Sequence, residues 1–177
     1  MRLFSVSVIS LPEHVEKILY RTAKRFISQY HYLGYAPPGC RFALGVFVGR
    51  TLVGVMIFGR PVARLEDQDT TLELTRMALI PNTPKNSCSK ALSLAEKWIK
   101  QNHPEFTRLI AYSDTEQEHK GTIYKAANWK ETGKTQGHSW SCPSRRRDRG
   151  QIGGDKLKFE RVFGEQKQPQ PSEDKGS

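Results

Sequence analysis

The sequence predicts a single-domain α/β protein with a mixed central sheet flanked by helices. Three observations predict it. Segments of strand and helix period follow one another in the order β-α-β-β-β-α-β-α-β-β, with no internal repeat. The apolar runs FALGVFV and TLVGVMIFG are joined by the turn Gly49-Arg50, which is a strong antiparallel hairpin signal. The 177 residues are enough for one domain with a full core.

Each element has its own signal. Leu3 to Ile9 reads as a strand; it is too short for a membrane span and lacks a small-residue cleavage site. Pro12 to Tyr30 reads as an amphipathic helix, because Val15, Ile18, Leu19, Ala23, Phe26 and Ile27 fall on one stripe. His31 to Arg41 is a loop with paired prolines and two glycines. The hairpin follows. Gly45 and Gly54 thin its strands, which often marks close approach of another backbone or a ligand. A polar linker, Ala63 to Thr70, leads to a strand, Thr71 to Ile80, and a loop, Pro81 to Asn86. Ser87 to Asn102 is a helix with Leu92, Ala95, Trp98 and Ile99 on its apolar face. Arg108 to Tyr112 is a short strand, and a polar turn and short helix follow it. Lys130 to Thr135 and Lys156 to Phe163 close the series as strands, separated by an arginine-rich excursion over residues 137–154. Residues 1–163 form the expected domain, and 164–177 a polar tail expected to be disordered.

The formal charge is +10, from 28 Lys+Arg against 18 Asp+Glu. That balance suggests a polyanionic partner such as nucleic acid; an anionic cofactor or a membrane surface fits the same charge. Cys40, Cys88 and Cys142 are odd in number and far apart, with no CxxC pair. This argues against a structural zinc site or a disulfide framework and fits a reducing cytoplasm.

The densest chemistry lies in Tyr112 to Trp129, YSDTEQEHKGTIYKAANW. Asp114 follows a strand end, where ligands of α/β sheets tend to lie. Thr115 and Glu118 have capping-box spacing, and Asp114 itself could simply cap. His119 fits a base or a metal ligand, and equally a surface or capping residue. Tyr124 could donate a proton to a leaving group, or sit as an amphipathic tyrosine at the core edge. Arg76 falls by alternation on the face of Leu72, Leu74 and Ala78, so it needs a partner such as Glu73 or Asp114, or a polar pocket. Upstream of the second helix, Ser87 as N-cap with Lys85 and Lys90 beside it suits a phosphate; a capped helix with solvated lysines accounts for the same residues. Arg145, Arg146, Arg147 and Arg149, with Trp140 nearby, fit phosphate contacts and base stacking, or a solvated basic loop.

The strand–loop–helix from Leu72, followed by strand, helix and strand, resembles the core of the GNAT N-acyltransferases. That resemblance implies a loop that cradles the pyrophosphate of acetyl-CoA, here Lys85, Asn86, Ser87, Cys88, Ser89 and Lys90 with Leu79 before it. It also implies Tyr124 as the acid that protonates the departing thiolate. The family's glycine-rich loop pattern is replaced by Lys-Asn-Ser-Cys-Ser-Lys. The pieces LGVFVGRTLVGVMIFGRP, LELTRMAL and YSDTEQEHKGTIYKAANWKETG more closely resemble the phage Mom-type DNA-modification proteins, over about His31 to Gly133. This implies an enzyme of divergent GNAT fold in the cytoplasm of a bacterial host. It would act on the N6 amine of a flipped adenine in double-stranded DNA, adding a methylcarbamoyl-type group that hides phage DNA from restriction. The resemblance implies active-site roles for Arg76, Asp114 and Tyr124, with His119 beside them. It also implies a ferrous-iron site of His31, Tyr32 and Asp114. Two rival readings stand beside it: a conventional acetyl-CoA N-acyltransferase for a protein or small amine, and a non-catalytic DNA-binding protein on a degenerate GNAT fold.

Overall fold

The computed structural model describes residues 10–114, 121–135 and 155–163. The expected strand Leu3 to Ile9, the turn residues Thr115, Glu118 and His119, Trp140 with the basic residues Arg145, Arg146, Arg147 and Arg149, and the expected tail over 164–177 lie outside the described residues.

Seven strands form one sheet in the order β1-β2-β3-β4-β5-β7-β6. They are β1 (His14–Ile18), β2 (Phe42–Val48), β3 (Thr51–Gly59), β4 (Thr71–Leu79), β5 (Arg108–Asp114), β6 (Lys130–Thr135) and β7 (Lys156–Val162). Every pairing is antiparallel except β4 with β5, which the helix α2 (Ser87–Asn102) connects as a parallel crossover. Helix α1 (Tyr20–Tyr30) precedes the hairpin, and the short α3 (Thr122–Ala126) follows β5. Among the described residues no helix is long and apolar enough to cross a membrane.

The first half of the helix expected over Pro12 to Tyr30 is instead β1, an edge strand paired with β2 from His14↔Phe47 to Ile18↔Ala43. Val15 and Ile18, three apart, look like one helical stripe. In the strand they sit on opposite faces of the sheet: Val15 packs into the core under α2, and Ile18 against the core under α1. Only Ala23, Phe26 and Ile27 of the expected stripe form the buried face of α1.

Two cores follow from the two faces. Ala23, Phe26 and Ile27 of α1 cover Ala43, Val55, Ile57 and Ala78 on the front. Ala91, Leu92, Ala95 and Ile99 of α2 cover Leu44, Val46, Met56, Phe58 and Leu72 on the back, where Tyr124, Trp129 and Phe159 complete the larger core. Leu92 and Ile99, at 1% and 0% exposure, each contribute about 1.5–3 kcal/mol by burial. Buried Glu96 of α2 ties this back layer together. It accepts from Trp129 Nε1 at 2.8 Å and from Arg161 Nε at 3.1 Å. Gly45 and Gly54 have a packing role: a Cβ at Gly45 would lie 2.8 Å from Leu52 and 2.9 Å from Ile18, and one at Gly54 2.9 Å from Leu79.

Gly121 opens α3 with φ +66°, and a Cβ there would fall 2.0 Å from the Phe159 ring. Gly121→Ala therefore meets both left-handed backbone strain and a core clash. We expect it to lower unfolding stability by about 2–4 kcal/mol in urea titration, the larger part from displacing Phe159 and the Tyr124 ring stacked on it.

Candidate active site where two parallel strands part

β4 and β5 are paired only from Thr71↔Arg108 to Leu74↔Ala111. β4 runs on to Leu79 and β5 to Asp114, so the two strands part beyond that point. Thr75 is the extra residue at the parting: Leu74 pairs with Phe58 but Arg76 with Ile57. Its hydroxyl donates to the Ile57 carbonyl at 3.0 Å. The bulge corrects the alternation expected for this strand. Leu72 and Leu74 point to the back core, whereas Arg76 and Ala78 share the front face with Ile57 and Val55. Arg76 does not face the way Leu74 does.

On the front, the half-buried Arg76 donates through Nε to the Tyr35 carbonyl at 3.3 Å and through a terminal nitrogen to the Thr75 carbonyl at 2.6 Å. Its guanidinium lies 5.3 Å from the Tyr35 ring centroid, a cation–π distance. Tyr32 stacks on His31 with centroids 4.5 Å apart. Burial pushes the Tyr32 phenol up, and the negative charge of Asp114 adds to that while Arg76 opposes it. Arg76, Tyr32 and Asp114 are thus electrostatic neighbours around one opening. Asp114 ends β5 opposite Lys156 of β7. Buried Glu73 lies on this face too and accepts from the Val62 amide at 2.8 Å. Burial raises its carboxyl, against the charges of Lys156 and Arg76. Tyr20, whose hydroxyl donates to the Pro37 carbonyl, senses both Cys40 and Arg76.

On the back, Tyr124 is 8% exposed and stacks on Phe159 at 5.0 Å and 20°, with Trp129 at 5.4 Å. Burial holds its phenol well above the ordinary value, with Cys88 and then Tyr32 raising it further. The hydroxyl therefore keeps its proton across the neutral range. Tyr32, in front, is thus within electrostatic reach of Tyr124 behind.

The start of α2 departs from the expected cap. Asn86 holds the N-cap position, left-handed at φ 70°, with no side chain capping the helix. Ser87 is not the cap: it is buried inside the first turn and its hydroxyl donates back to the Pro84 carbonyl at 2.7 Å. Asn82, at φ 63°, is a second left-handed asparagine. These two asparagines supply the backbone conformations that glycine would otherwise serve. Asn86, Ser89, Lys90 and Ser93 of α2, Ala126 at the end of α3, and Leu11 line an open groove of about 460 Å³.

The structure thus makes Tyr32 an electrostatic neighbour of Arg76, Asp114 and Tyr124, with His31 stacked on it, and places Asn86, Ser89 and Lys90 along one groove. Cys88 lies within electrostatic reach of Tyr124. Lys85 is exposed, and Leu79 packs against Gly54. Sequence reasoning missed Tyr35 and Tyr20, and weighed Glu73 only as a partner for Arg76. The signal for Glu73 was present: a carboxylate between Leu72 and Leu74 in an otherwise apolar stretch of strand. No such signal marks Tyr35, because only the fold carries its loop onto Arg76.

Of the expected iron trio, Tyr32 stacks on His31 and lies within electrostatic reach of Asp114. Among the described residues no three His, Cys, Asp or Glu side chains gather at one point. His31 Nδ1 accepts the Leu33 amide at 3.1 Å, and its ring stacks on Tyr32.

The Mom protein family model matches residues 13–152. A curated relative, the methylcarbamoylase mom of Escherichia phage Mu, is 33% identical over 123 residues, covering 65% of this chain and 51% of the relative. The matched stretch is about half the length of that relative. A GNAT-family acetyltransferase structure from Bacillus anthracis superposes with a TM-score of 0.58 at 14% identity, covering 86% of this chain and 96% of that one. A Bacillus subtilis acetyltransferase in complex with CoA superposes with a TM-score of 0.53 at 11% identity, covering 84% and 97%. The fold is that of the GNAT acetyltransferases, and the chain belongs to the Mom protein family.

Two carboxylates on the front face give opposite pH signatures. Glu73 is raised above its ordinary 4.5, so its contribution to stability is present below that value and is lost as pH rises through its folded pKa. For Glu66, which ion-pairs with Arg108 and Lys158, burial pushes the carboxyl up, but the bonds to Lys158 and Arg108 outweigh it and hold it below 4.5. Its contribution is present above 4.5 and is lost as pH falls through the lower folded value. In thermal melts across pH 3 to 8, roughly the span that brackets both carboxylates, Glu73→Gln should gain on wild type as pH rises. Glu66→Gln should fall behind it.

Proposed function

We propose, with membership of this family as the premise, that the chain is a DNA-modifying transferase. It places a methylcarbamoyl-type group on the exocyclic N6 amine of adenine, in the host cytoplasm, and so shields phage DNA from restriction. The observation that carries this reading is the opening at the strand parting: Arg76, Tyr32 and Asp114 on one side and the protonated Tyr124 on the other.

The adenine amine is a weak nucleophile because its lone pair is delocalised into the ring. The site must therefore fix its position and stabilise the charge that develops on the acyl carbonyl. The base must also leave the duplex stack, since its amine is unreachable inside it. On the front, Asp114 accepts the amine proton and Arg76 faces the carbonyl oxygen. From the back, Tyr124 gives its proton to the leaving group. As the bond from nitrogen to carbonyl carbon forms, the bond from that carbon to the leaving atom breaks; the donor's carbonyl must already carry the methylamino nitrogen, because acetyl-CoA itself would deliver only an acetyl group.

The groove between α2 and α3 is the place for acetyl-CoA or a related acyl donor; the CoA complex of the Bacillus subtilis protein of the same fold supports that class of donor. Lys90 would face donor phosphates there, and left-handed Asn86 leaves the first-turn amides of α2 without a side-chain cap. His119 is a further candidate for proton transfer. Arg145, Arg146, Arg147 and Arg149, with Trp140, would hold the DNA backbone.

Mass spectrometry of DNA nucleosides from expressing cells tests the proposal. Wild type should yield a modified deoxyadenosine. Tyr124→Phe, which keeps both ring stacks, should lower the yield about 10²–10⁴-fold with an unchanged melting temperature. Tight acetyl-CoA binding with unmodified adenine would point instead to an acyltransferase for another amine. DNA binding with no product from any donor would point to a binding protein.

A further inference from the structure

We propose that Tyr35 is a positioning residue of the acyl-transfer site: its ring and its carbonyl aim the Arg76 guanidinium at the acyl carbonyl oxygen. This rests on the DNA-modification reading above, in which Arg76 stabilises that oxygen.

Arg76 needs such a holder. It lies past the last rung between β4 and β5, Leu74↔Ala111, and pairs across the sheet with Ile57 of β3. On the β5 side no cross-strand neighbour fixes it. An arginine side chain is long and rich in rotamers, and a misplacement of about 1 Å at a reacting centre costs on the order of 10² in rate.

The holders are a carbonyl on either side and a ring. Nε donates to the Tyr35 carbonyl at 3.3 Å and Nη1 to the Thr75 carbonyl at 2.6 Å. The guanidinium carbon stands 5.3 Å from the Tyr35 ring centroid. These contacts fix the tilt of the guanidinium plane as well as its position. Nη2 donates to no acceptor among the described residues, so its hydrogens remain for a substrate oxygen. The carbonyls and the ring are all neutral. They orient the cation without an ion pair that would consume the charge a developing oxyanion needs.

The loop carrying Tyr35 is fastened on both sides of it. Before it, the Gly34 amide donates to the His31 carbonyl at 2.8 Å, with Gly34 left-handed at φ 66°, and the Leu33 amide donates to His31 Nδ1 at 3.1 Å. After it, Ala36 packs against the front core, the Tyr20 hydroxyl donates to the Pro37 carbonyl, and the Arg41 amide donates to the Phe58 carbonyl at 2.8 Å. The Tyr35 ring itself is 38% exposed and belongs to neither buried core. Core packing therefore does not account for a ring at this place, whereas its stack on Arg76 does.

The test compares wild type, Tyr35→Leu and Tyr35→Phe as full-length chains. It follows the rate at which modified deoxyadenosine accumulates in expressing cells. It also follows the proton–nitrogen NMR signal of Arg76 Nε, which the ring current of Tyr35 shifts. Tyr35→Leu should slow modification about 10- to 100-fold and move the Arg76 signal, with thermal melting and binding to a short DNA duplex as in wild type. Tyr35→Phe keeps the ring and the carbonyl and should retain both the rate and the signal. Modification at the wild-type rate by Tyr35→Leu overturns the proposal, as does an unmoved Arg76 signal in that variant. Equal losses from both variants overturn it as well, because the phenol hydroxyl would then act directly. A melting temperature of Tyr35→Leu that falls in step with its activity makes Tyr35 a structural brace and overturns the positioning role. Unmodified adenine in cells expressing wild type removes the DNA-modification reading, while the Arg76 signal still decides whether Tyr35 holds the guanidinium.

Discussion

The site depends on one departure from regular pairing: β4 and β5 separate after Leu74 and Ala111. Parallel strands that stayed paired would close the sheet and leave its two faces without a passage. The bulge at Thr75 accompanies the separation and reverses the facing of the strand. Before it, Leu72 and Leu74 serve the back core. After it, Arg76 turns to the front and finds the Tyr35 carbonyl and ring. The hydroxyl of Thr75 bonds to Ile57, so the irregular point is held by a side chain as well as by the ladder on the β3 side. Tyr124, fixed by Phe159 and Trp129 behind, then lies within electrostatic reach of Tyr32 in front.

The back layer must be stiff for that contact to hold. Glu96, buried in α2, reaches both Trp129 and Arg161, joining α2 to the corner after α3 and to β7. Removing Arg161 would leave a buried carboxylate with a single donor; with the arginine's side chain 34% exposed, the cost falls below the roughly 3–5 kcal/mol of a fully buried pair. Gly121 then lets the start of α3 lie directly on Phe159, which sets the height of Tyr124 above the sheet. A short helix of five residues has little stability of its own and takes its position from these contacts.

The fold class, the hairpin, β4, α2, β6 and β7 were legible because each has a clear period or turn signal. The strand β1 was not. Five residues, HVEKI, with apolar groups three apart mimic a helical stripe, and only pairing with β2 decides the matter. The facing of Arg76 was illegible for a related reason: alternation assumes unbroken register, and a bulge is set by neighbours across the sheet. Arg76, Asp114 and Tyr124 were readable as chemistry because the motif around each is dense. Tyr35 was not, since a tyrosine in a proline-rich loop carries no period. The cap at Asn86 was missed because serine is the commoner N-cap, and a left-handed asparagine leaves no pattern in sequence.

The charge arrangement on the front face bears on whether a polyanion can approach it. Glu66, Glu160, Glu73 and Asp114 all lie on that face or against it, on a chain of net charge +10. Unopposed carboxylates there would repel phosphates within a Debye length of about 8–10 Å. They are not unopposed. Arg108 forms a two-pronged pair with Glu160 at 2.6 and 2.7 Å and also holds Glu66, which Lys158 shares. Burial shifts Glu73 toward its neutral form, and Asp114 stands opposite Lys156. Local pairing thus confines the negative charge to short range, while the excess of arginine and lysine sets the field felt from a distance. Under the proposed function, that division of charge lets Asp114 serve as base at the centre of the face while a nucleic acid approaches its rim.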